Sequence, residues 1–289
     1  MRSPARDAHG DGVSPLTRWV ALGILPFLVL ASAILYILPR HTDTLFAWTI
    51  TPPLTAMFLA SAYIGGIWFF AQVLRSPSWG QVSRGYGAVL VFATLAGIAT
   101  IIHWDRFHFW HISFMAWATL YVTTPVVIAT IIVVNRGRSI RSARASEVVL
   151  PFAVRLGGII VGGCALVTGV VVFVAPGLIA PTWAWTVTPL TARIVGAVLT
   201  LPGMVNLWML VDARWSAFRV LAQAQLISLC FIVGALVIAR GDLLWDRLST
   251  WLFVPGIVVS LIVYAVIYVV FERRRARILR PEASWSSRS

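Results

Sequence analysis

Three histidines in one short stretch are the residues best suited to chemistry. His103, His108 and His111 lie between two apolar segments, with Asp105 among them. Imidazole and carboxylate groups bind transition metals, and the last two histidines would share a face if the stretch were helical. A haem would need facing imidazoles on two helices. The stretch therefore predicts a transition-metal site, with haem as an alternative and with no cofactor as the simplest interpretation.

A second candidate site consists of residues that weaken helices. Its members, at matching depths of two apolar segments, are Gly65, Gly66, Pro202, Gly203 and the nearby Asn206. Proline removes a helix hydrogen bond and glycine permits bending. Interrupted helices at corresponding positions of two repeats often mark a transport site. Glycine and asparagine also pack and hydrogen-bond helices in membranes, so these residues predict either a substrate site or ordinary helix packing.

The sequence offers no other catalytic arrangement. It contains no nucleophile with a suitable base, no phosphate-binding loop and no pair of carboxylates. No Asp or Glu lies in the middle of an apolar segment, so a carboxylate proton relay has no candidate. Cys164 and Cys230 fall inside apolar segments, where free cysteines act as small packing residues. The sequence favours a protein that is not an enzyme and leaves the question open.

Apolar segments of membrane-spanning length make up most of the chain. The 289 residues are 59% hydrophobic and 11% charged, whereas an average soluble domain has about 25% charged residues. Several apolar runs exceed the roughly 18 residues that cross a bilayer as a helix. We therefore predict an all-α polytopic bundle in the lipid bilayer. Its eight transmembrane helices are expected at 18–38, 53–74, 86–103, 112–134, 151–175, 189–211, 218–239 and 250–271.

The basic residues indicate how the chain is oriented. All 23 are arginines, and 18 of them fall on the cytoplasmic side if the N-terminus is inside. This bias predicts that both termini are cytoplasmic, and the absence of lysine suggests a high-GC bacterial genome and hence a bacterial plasma membrane. The arginines lie between apolar segments, which argues against nucleic-acid binding and suits contacts with anionic lipid headgroups. A signal peptide cleaved near Ala33 is the alternative for the first segment, although its apolar run continues to Leu38.

The second half of the sequence repeats the first. Two motifs recur, Ala-Trp-Thr-x-Thr-Pro and Trp-Asp-Arg. Their members are Trp48, Thr51, Pro52, Asp105 and Arg106 in the first half, and Trp185, Thr188, Pro189, Asp246 and Arg247 in the second. Each half contains four predicted helices, and four is an even number. Both halves therefore enter the membrane in the same direction, which predicts two parallel repeats related by an axis along the membrane normal.

The motifs also predict local contacts. Thr51 and Thr188 are expected to cap the second and sixth helices, with the following proline at the first helical position. The tryptophan that precedes each threonine is expected at the outer membrane interface. Asp105 is expected either to stay at its own helix end or in solvent, or to pair with Arg247 across the axis.

Composition sets the remaining boundaries. Residues 1–15 are polar and predict a disordered cytoplasmic tail. The two four-helix repeats are expected at 16–135 and 151–271, joined by a basic cytoplasmic linker at 136–150. Residues 272–289 predict a basic cytoplasmic tail.

Three functions are compatible with the sequence. A small transporter or permease would use the glycine–proline site at the interface of the repeats. A non-catalytic membrane component would serve in assembly, sensing or lipid interaction, and a metal- or haem-dependent membrane enzyme would use the outer histidines. A polar cavity between the halves would favour the first function, a tight apolar seam the second, and histidines within ligand distance of one another the third.

Overall fold

Eight long helices form the part of the molecule that the structure describes. The computed structural model describes residues 12–136 and 147–279, and over these residues it confirms an all-α bundle whose eight helices are long and apolar enough to cross a bilayer. The helices are α1 (Pro15–Ile37), α2 (Pro53–Arg75), α3 (Ser83–Ile102), α4 (Ile112–Val134), α5 (Phe152–Val174), α6 (Pro189–Leu207), α7 (Trp215–Ile238) and α8 (Leu248–Leu279). Most of the predicted N-terminal tail and basic linker, and the last ten residues of the predicted C-terminal tail, lie outside the described residues.

Two helices begin or end away from their predicted limits because of polar side chains. α1 begins at Pro15, within the predicted tail, because the Ser14 hydroxyl accepts a hydrogen bond from a backbone N–H of the first turn. α8 continues through the predicted C-terminal tail as far as Leu279. Glu272 accepts hydrogen bonds there from two side chains of α7, and these bonds hold the extension against its neighbour.

α2 and α6 form the centre of the bundle. Of the most apolar stretch of each, 67% of the residues are buried, whereas 6% are buried in α8. α1 packs along α2, and α5 packs along α6. The third helix of each half packs against the central helix of the other half, α7 on α2 and α3 on α6, and α4 and α8 pack outside α3 and α7. Each central helix is therefore enclosed by helices from both halves of the chain.

Glycines bring α5 and α6 into close contact. A Cβ atom added to Gly169 would lie 2.7 Å from the carbonyl oxygen of Gly196, and one added to Gly196 would lie 2.6 Å from that of Gly169. Further along the same pair of helices, a Cβ atom on Gly203 would lie 3.0 Å from the carbonyl oxygen of Gly162. Since no side chain fits at these crossings, the two helices pack backbone to backbone, as small residues allow in membranes.

The two motif tryptophans lie in the core. Trp48 and Trp185 are 2% and 0% exposed, so their predicted position at the lipid interface is wrong. Trp48 packs against Trp117, with ring centroids 4.6 Å apart, and Trp185 packs against Phe253 at 5.2 Å. Aromatic partners on the fourth helix of each half remove these rings from the membrane surface. The two cysteines, by contrast, are exposed on the bundle surface rather than packed inside it.

Candidate functional site

The two halves meet along α2 and α6 in an apolar seam. We define the seam by the residues that enclose its central gap: Trp48, Ile50, Thr55, Phe58, Leu59, Thr191, Ile194, Val195 and Val198. The gap has no room for a water molecule. The indole N–H of Trp185 donates a hydrogen bond of 2.8 Å across the seam to the hydroxyl of Thr55. The halves are thus joined by a dry apolar contact.

The residues predicted to form a substrate site do not meet in one place, although Gly203 and Asn206 both lie against Gly162 of α5. Gly65 faces α7, where an added Cβ would lie 2.8 Å from a backbone oxygen, and Gly66 faces a leucine of α1. Gly203 faces α5, where an added Cβ would lie 2.6 Å from a leucine side chain. Pro202 lies inside α6. These residues allow four different helix contacts or bends, and the substrate site stays a prediction.

Asn206 connects α6 to two neighbouring helices. Its side chain is buried, and its Oδ1 atom accepts a hydrogen bond of 2.7 Å from the Tyr264 hydroxyl on α8. An added Cβ on Gly162 of α5 would lie against the same side chain. Within the described ranges the Asn206 Nδ2 atom has no hydrogen-bond partner. Asn206 therefore lies inside the second half, away from the seam.

Two of the three histidines bind groups within their own half of the chain. We call one end of the bundle the outer end, after its predicted orientation. It comprises the loops at residues 38–52, 103–111, 175–188 and 239–247. There the His108 Nδ1 atom donates to the Phe46 carbonyl at 3.1 Å, and its Nε2 atom lies 3.2 Å from the Thr49 hydroxyl. The His111 Nδ1 atom is hydrogen-bonded to the Ser113 hydroxyl.

The third histidine contacts the opposite half. The His103 Nε2 atom, at the end of α3, is hydrogen-bonded to the Arg193 guanidinium on α6. Burial lowers the pKa of His103, and the positive charge of Arg193 lowers it further. Because a guanidinium carries only donors, the His103 Nε2 atom accepts this hydrogen bond. No three His, Cys, Asp or Glu side chains of the described residues come close enough to hold a metal ion, and the predicted metal or haem site stays a prediction.

A carboxylate from the second half caps α2. The predicted cap, Thr51, is wrong: α2 begins at Pro53, and no side chain of its own N-cap residue binds its first turn. Instead, the Asp242 Oδ2 atom, from the turn after α7, accepts a hydrogen bond of 2.9 Å from the Leu54 N–H. In α6 the cap is local, because the hydroxyl of Thr188 accepts from a backbone N–H of the first turn. The outer end thus contains a cap that crosses between the halves.

The two Trp-Asp-Arg motifs occupy different positions in their loops. Trp104–Arg106 forms the 3-10 turn that directly follows α3. The turn that directly follows α7 is Arg240–Asp242, and residues 245–247 come after it, immediately before α8. The sequence match therefore aligns two turns that the fold places differently.

The expected pairing of these motifs across the axis is not formed. The Asp105 carboxylate lies 3.2 Å from the guanidinium of its neighbour Arg106, and both side chains are more than 70% exposed. Arg247 donates a hydrogen bond of 2.8 Å to the carbonyl of Trp183 in its own half. Asp105, Arg106 and Arg247 thus have their partners within their own halves.

An ion pair joins the halves at the opposite end of the bundle. Arg84, at the start of α3, lies 3.2 Å from Asp212 in the loop between α6 and α7, and Arg214 lies 2.7 Å from the same carboxylate. Burial alone would raise the pKa of Asp212, but hydrogen bonds from Arg214 and Arg84 lower it to about 2. The Arg84 guanidinium also stacks over the Trp208 ring at 4.9 Å, a favourable cation–π contact.

A small cavity lies inside the first half. It encloses about 70 Å³, and we call it the first-half cavity; its lining residues are Ile24, Leu28, Ala62, Tyr63, Gly66, Phe70, Val89, Phe92, Ala93, Leu120, Tyr121, Thr124 and Leu201. The hydroxyls of Tyr63 and Tyr121 form a hydrogen bond of 2.7 Å with each other. Sequence analysis missed this pair. The sequence pointed to the pair only through two tyrosines inside apolar segments, because a buried tyrosine hydroxyl usually has a hydrogen-bond partner.

The geometry thus comprises a dry seam, contacts that cross between the halves at both ends, and a cavity within one half. Comparison of the chain with models of protein families, with curated proteins and with solved structures found no match.

Proposed function

We propose that the protein is a non-catalytic, lipid-interacting scaffold of the membrane. The observation that carries this proposal is the seam, whose central gap between α2 and α6 does not admit water. A transporter with its site at the interface of the repeats needs a hydrated space there in at least one state. The seam gives no support to that prediction, and the separate partners of the three histidines give none to the metal- or haem-dependent enzyme.

Contacts between the halves at both ends support a seam that stays closed. At the outer end the Trp185–Thr55 hydrogen bond and the Asp242 cap join the halves. At the other end the ion pair of Arg84 and Asp212 does so. A rocking motion of one half against the other would break both sets of contacts. We therefore expect the halves to move as one body.

The helix contacts also support the predicted doubling of a four-helix unit. In each half the third helix packs on the central helix of the other half: α3 packs on α6, and α7 packs on α2. In the first half the Ala47 carbonyl accepts a hydrogen bond of 2.9 Å from the His108 N–H. In the second the Ala184 carbonyl accepts one of 2.9 Å from the Leu244 N–H. We infer two parallel repeats with both termini in the cytoplasm of a bacterium.

Thiol accessibility tests whether the seam opens. In a variant with Cys164 and Cys230 replaced by alanine, single cysteines are placed at Leu59 and Val195, which are both 1% exposed. We expect neither to react with a membrane-impermeant methanethiosulfonate reagent, in vesicles of either orientation. A cysteine at Asp43, exposed at the outer end, is the reactive control. Reaction of a seam cysteine from either side would contradict the proposal, because it would show a water-filled path between the halves.

The lipid-interacting part of the proposal rests on arginines at the end of α8. Arg273 and Arg277 are exposed, and clustered arginines beside a transmembrane helix attract anionic headgroups. We expect the protein in mixed phosphatidylglycerol and phosphatidylcholine nanodiscs to retain phosphatidylglycerol in native mass spectra. The R273Q/R277Q variant should lose this preference, whereas R106Q, which removes an exposed arginine at the outer end, should keep it. An unchanged preference in the double variant would reject a lipid contact at this end.

A further inference from the structure

The first-half cavity has an unusual polar composition. Among its thirteen lining residues only Tyr63, Tyr121 and Thr124 carry polar side-chain atoms. The two tyrosines are 2% and 4% exposed, so both are buried where they line the cavity. α1, α2, α3 and α4 supply the walls, and Leu201 of α6 adds one contact from the second half.

The two phenols leave one hydroxyl hydrogen without an acceptor. Each tyrosine hydroxyl carries a single hydrogen, and the pair shares a single hydrogen bond. Whichever phenol donates, the accepting one keeps an O–H for which the described residues provide no further partner. A buried donor without an acceptor is unfavourable, and the adjacent space is the cavity. The cavity is therefore suited to a molecule that brings an acceptor.

The nature of the cavity wall distinguishes between possible occupants. Water brings two donors of its own and is stable in a cavity only with two to four polar partners, roughly. The apolar wall offers few acceptors for those donors. A carbonyl oxygen accepts the phenol hydrogen and brings no donor, so its apolar substituents can contact the remaining wall. The volume of about 70 Å³ is below half of the roughly 150 Å³ that holds benzene in a protein core, so it accommodates one narrow end of a larger molecule.

We propose that the first-half cavity binds the carbonyl-bearing end of a lipid-soluble molecule, with the Tyr63–Tyr121 pair donating a hydrogen bond to its carbonyl oxygen. The proposal is independent of the scaffold function and of the seam. Two of the wall helices carry a proline beside their lining residues, Pro26 in α1 and Pro125 in α4. A proline removes one backbone hydrogen bond of its helix. These two walls can therefore bend to admit a chain from the bilayer.

The test uses a simple carbonyl probe in the intact protein. The full chain in nanodiscs is titrated with 2-undecanone labelled with ¹³C at the carbonyl, and the C=O stretching band is followed by infrared spectroscopy. A hydrogen-bonded ketone gives a saturable band at lower frequency than ketone dissolved in the lipid. Undecane, which has the same chain without the acceptor, is the matched competitor and should displace the ketone at least tenfold less well than unlabelled 2-undecanone.

Four variants make the role of the hydroxyls specific. Y63F and Y121F each leave one phenol, which is then free to donate to the ligand, so the shifted band and its affinity should stay within about threefold of the original protein. The double variant Y63F/Y121F has no donor, and the shifted band should disappear. Y264F removes a buried tyrosine hydroxyl of the second half, whose partner is Asn206, and should leave the band unchanged.

A filled cavity provides an independent control for folding. Ala93 lines the cavity and is 1% exposed, so A93L should occupy its volume and abolish the saturable band while both tyrosines remain. Absence of the shifted band in the original protein would overturn the proposal, because no carbonyl group would then bind to the tyrosine pair. A band that persists in Y63F/Y121F, or in A93L, would overturn it as well, because the ketone would then bind elsewhere.

Discussion

At the scale of single residues, one carboxylate replaces a helix cap that the local sequence does not provide. Pro52 and Pro53 are the N-cap and the first residue of α2, and Asp242 from the other half accepts the hydrogen bond of the Leu54 N–H. A negative group at this position also interacts favourably with the positive end of the helix dipole. The first half therefore depends on the second for the stability of its central helix.

The cap can be tested by removing it. We expect Asp242→Ala to lower the free energy of unfolding by about 1 kcal/mol, the usual effect of losing a helix cap. Asp242→Asn should cost less, because its side-chain oxygen still accepts. The matched control is Asp105→Ala, which removes a carboxylate 73% exposed at the same end and should have no measurable effect. Unfolding by sodium dodecyl sulfate in mixed micelles measures the difference, and equal losses for the two alanine variants would contradict a specific cap.

The buried carboxylate at the other end predicts a dependence on acid. The pKa of Asp212 is lowered to about 2 in the folded protein, below its value of 3.8 when unperturbed. A carboxyl group whose pKa is lower in the folded state stabilises the protein at pH values above its pKa in the unfolded state. This stabilisation is lost as the pH falls through the pKa of the folded state. We therefore expect the Asp212→Asn variant to be less stable than the original protein at pH 7, because Arg84 loses its charged partner. Unfolding measured from pH 7 to pH 2 tests this expectation.

The decisive quantity is the difference in unfolding free energy between the original protein and Asp212→Asn. It should be constant from pH 7 to about pH 5 and shrink between about pH 4 and pH 2. An Asp43→Asn variant, which changes an exposed carboxyl at the outer end, should show no such change. A difference that does not vary with pH would rule out a carboxylate held ionised by its arginines.

The types of residue in the sequence predicted the membrane-spanning helices better than they predicted chemical sites. The three histidines suggested a metal site because they are close in sequence, yet each binds a different partner. His103 reaches Arg193 on another helix, a contact that depends on how α3 and α6 pack. The pairing of Tyr63 with Tyr121 depends in the same way on the rotation of α2 and α4 about their axes. Apolar patterns do not specify such rotations when most faces of a helix are hydrophobic.

At the scale of helices, glycines decide which faces meet. Gly65 lies where α2 approaches α7, and an added Cβ would come within 2.8 Å of a backbone oxygen of α7. Because backbone cannot move aside, we expect Gly65→Ala to lower the free energy of unfolding by about 1–3 kcal/mol, the usual cost of overpacking. Unfolding in mixed micelles provides the measurement.

Gly163 offers a matched control in α5. An added Cβ there meets nothing within 4 Å, so Gly163→Ala should be neutral or should stabilise the helix by up to about 1 kcal/mol. The prediction concerns the sign as well as the size of the effect. If Gly163→Ala lost as much stability as Gly65→Ala, the effect of these substitutions would come from helix flexibility and not from close packing.

Hydrophobic run length predicted the helices well and their ends less well. The predicted starts of α4 and α6, at residues 112 and 189, agree with the structure, because a polar residue, His111 or Thr188, directly precedes each apolar run. α1 and α8 extend beyond prediction, since Ser14 and Glu272 supply hydrogen bonds that hydropathy does not register. The tryptophans of the repeated motif were placed at the lipid interface by their residue type, and aromatic neighbours on other helices place them in the core.

At the scale of the whole molecule, the two halves are interdependent. The central helix of each is covered by a helix of the other, so neither half encloses its own core. We predict that fragments 1–141 and 142–289, divided within the basic linker, form a stable complex when they are produced together. Affinity purification through a tag on one fragment should recover both in equal amounts.

Produced alone, each fragment should be degraded or aggregate, because α2 would expose Gly65 to lipid and α6 would lose the partner of Arg193. A Gly65→Leu change in the first fragment should prevent recovery of the second, since it blocks the contact between α2 and α7. A first fragment that purifies alone as a stable monomer would contradict the exchange of helices.

The enclosure of α2 by α7 also affects how the protein is made. Synthesis runs from the N-terminus, so α2 leaves the ribosome well before α7 and before Asp242. During that interval the first turn of α2 lacks the Asp242 cap, and Gly65 lacks its contact with α7. We expect the nascent chain to be most vulnerable to membrane proteases during this interval, until the seventh helix packs against α2.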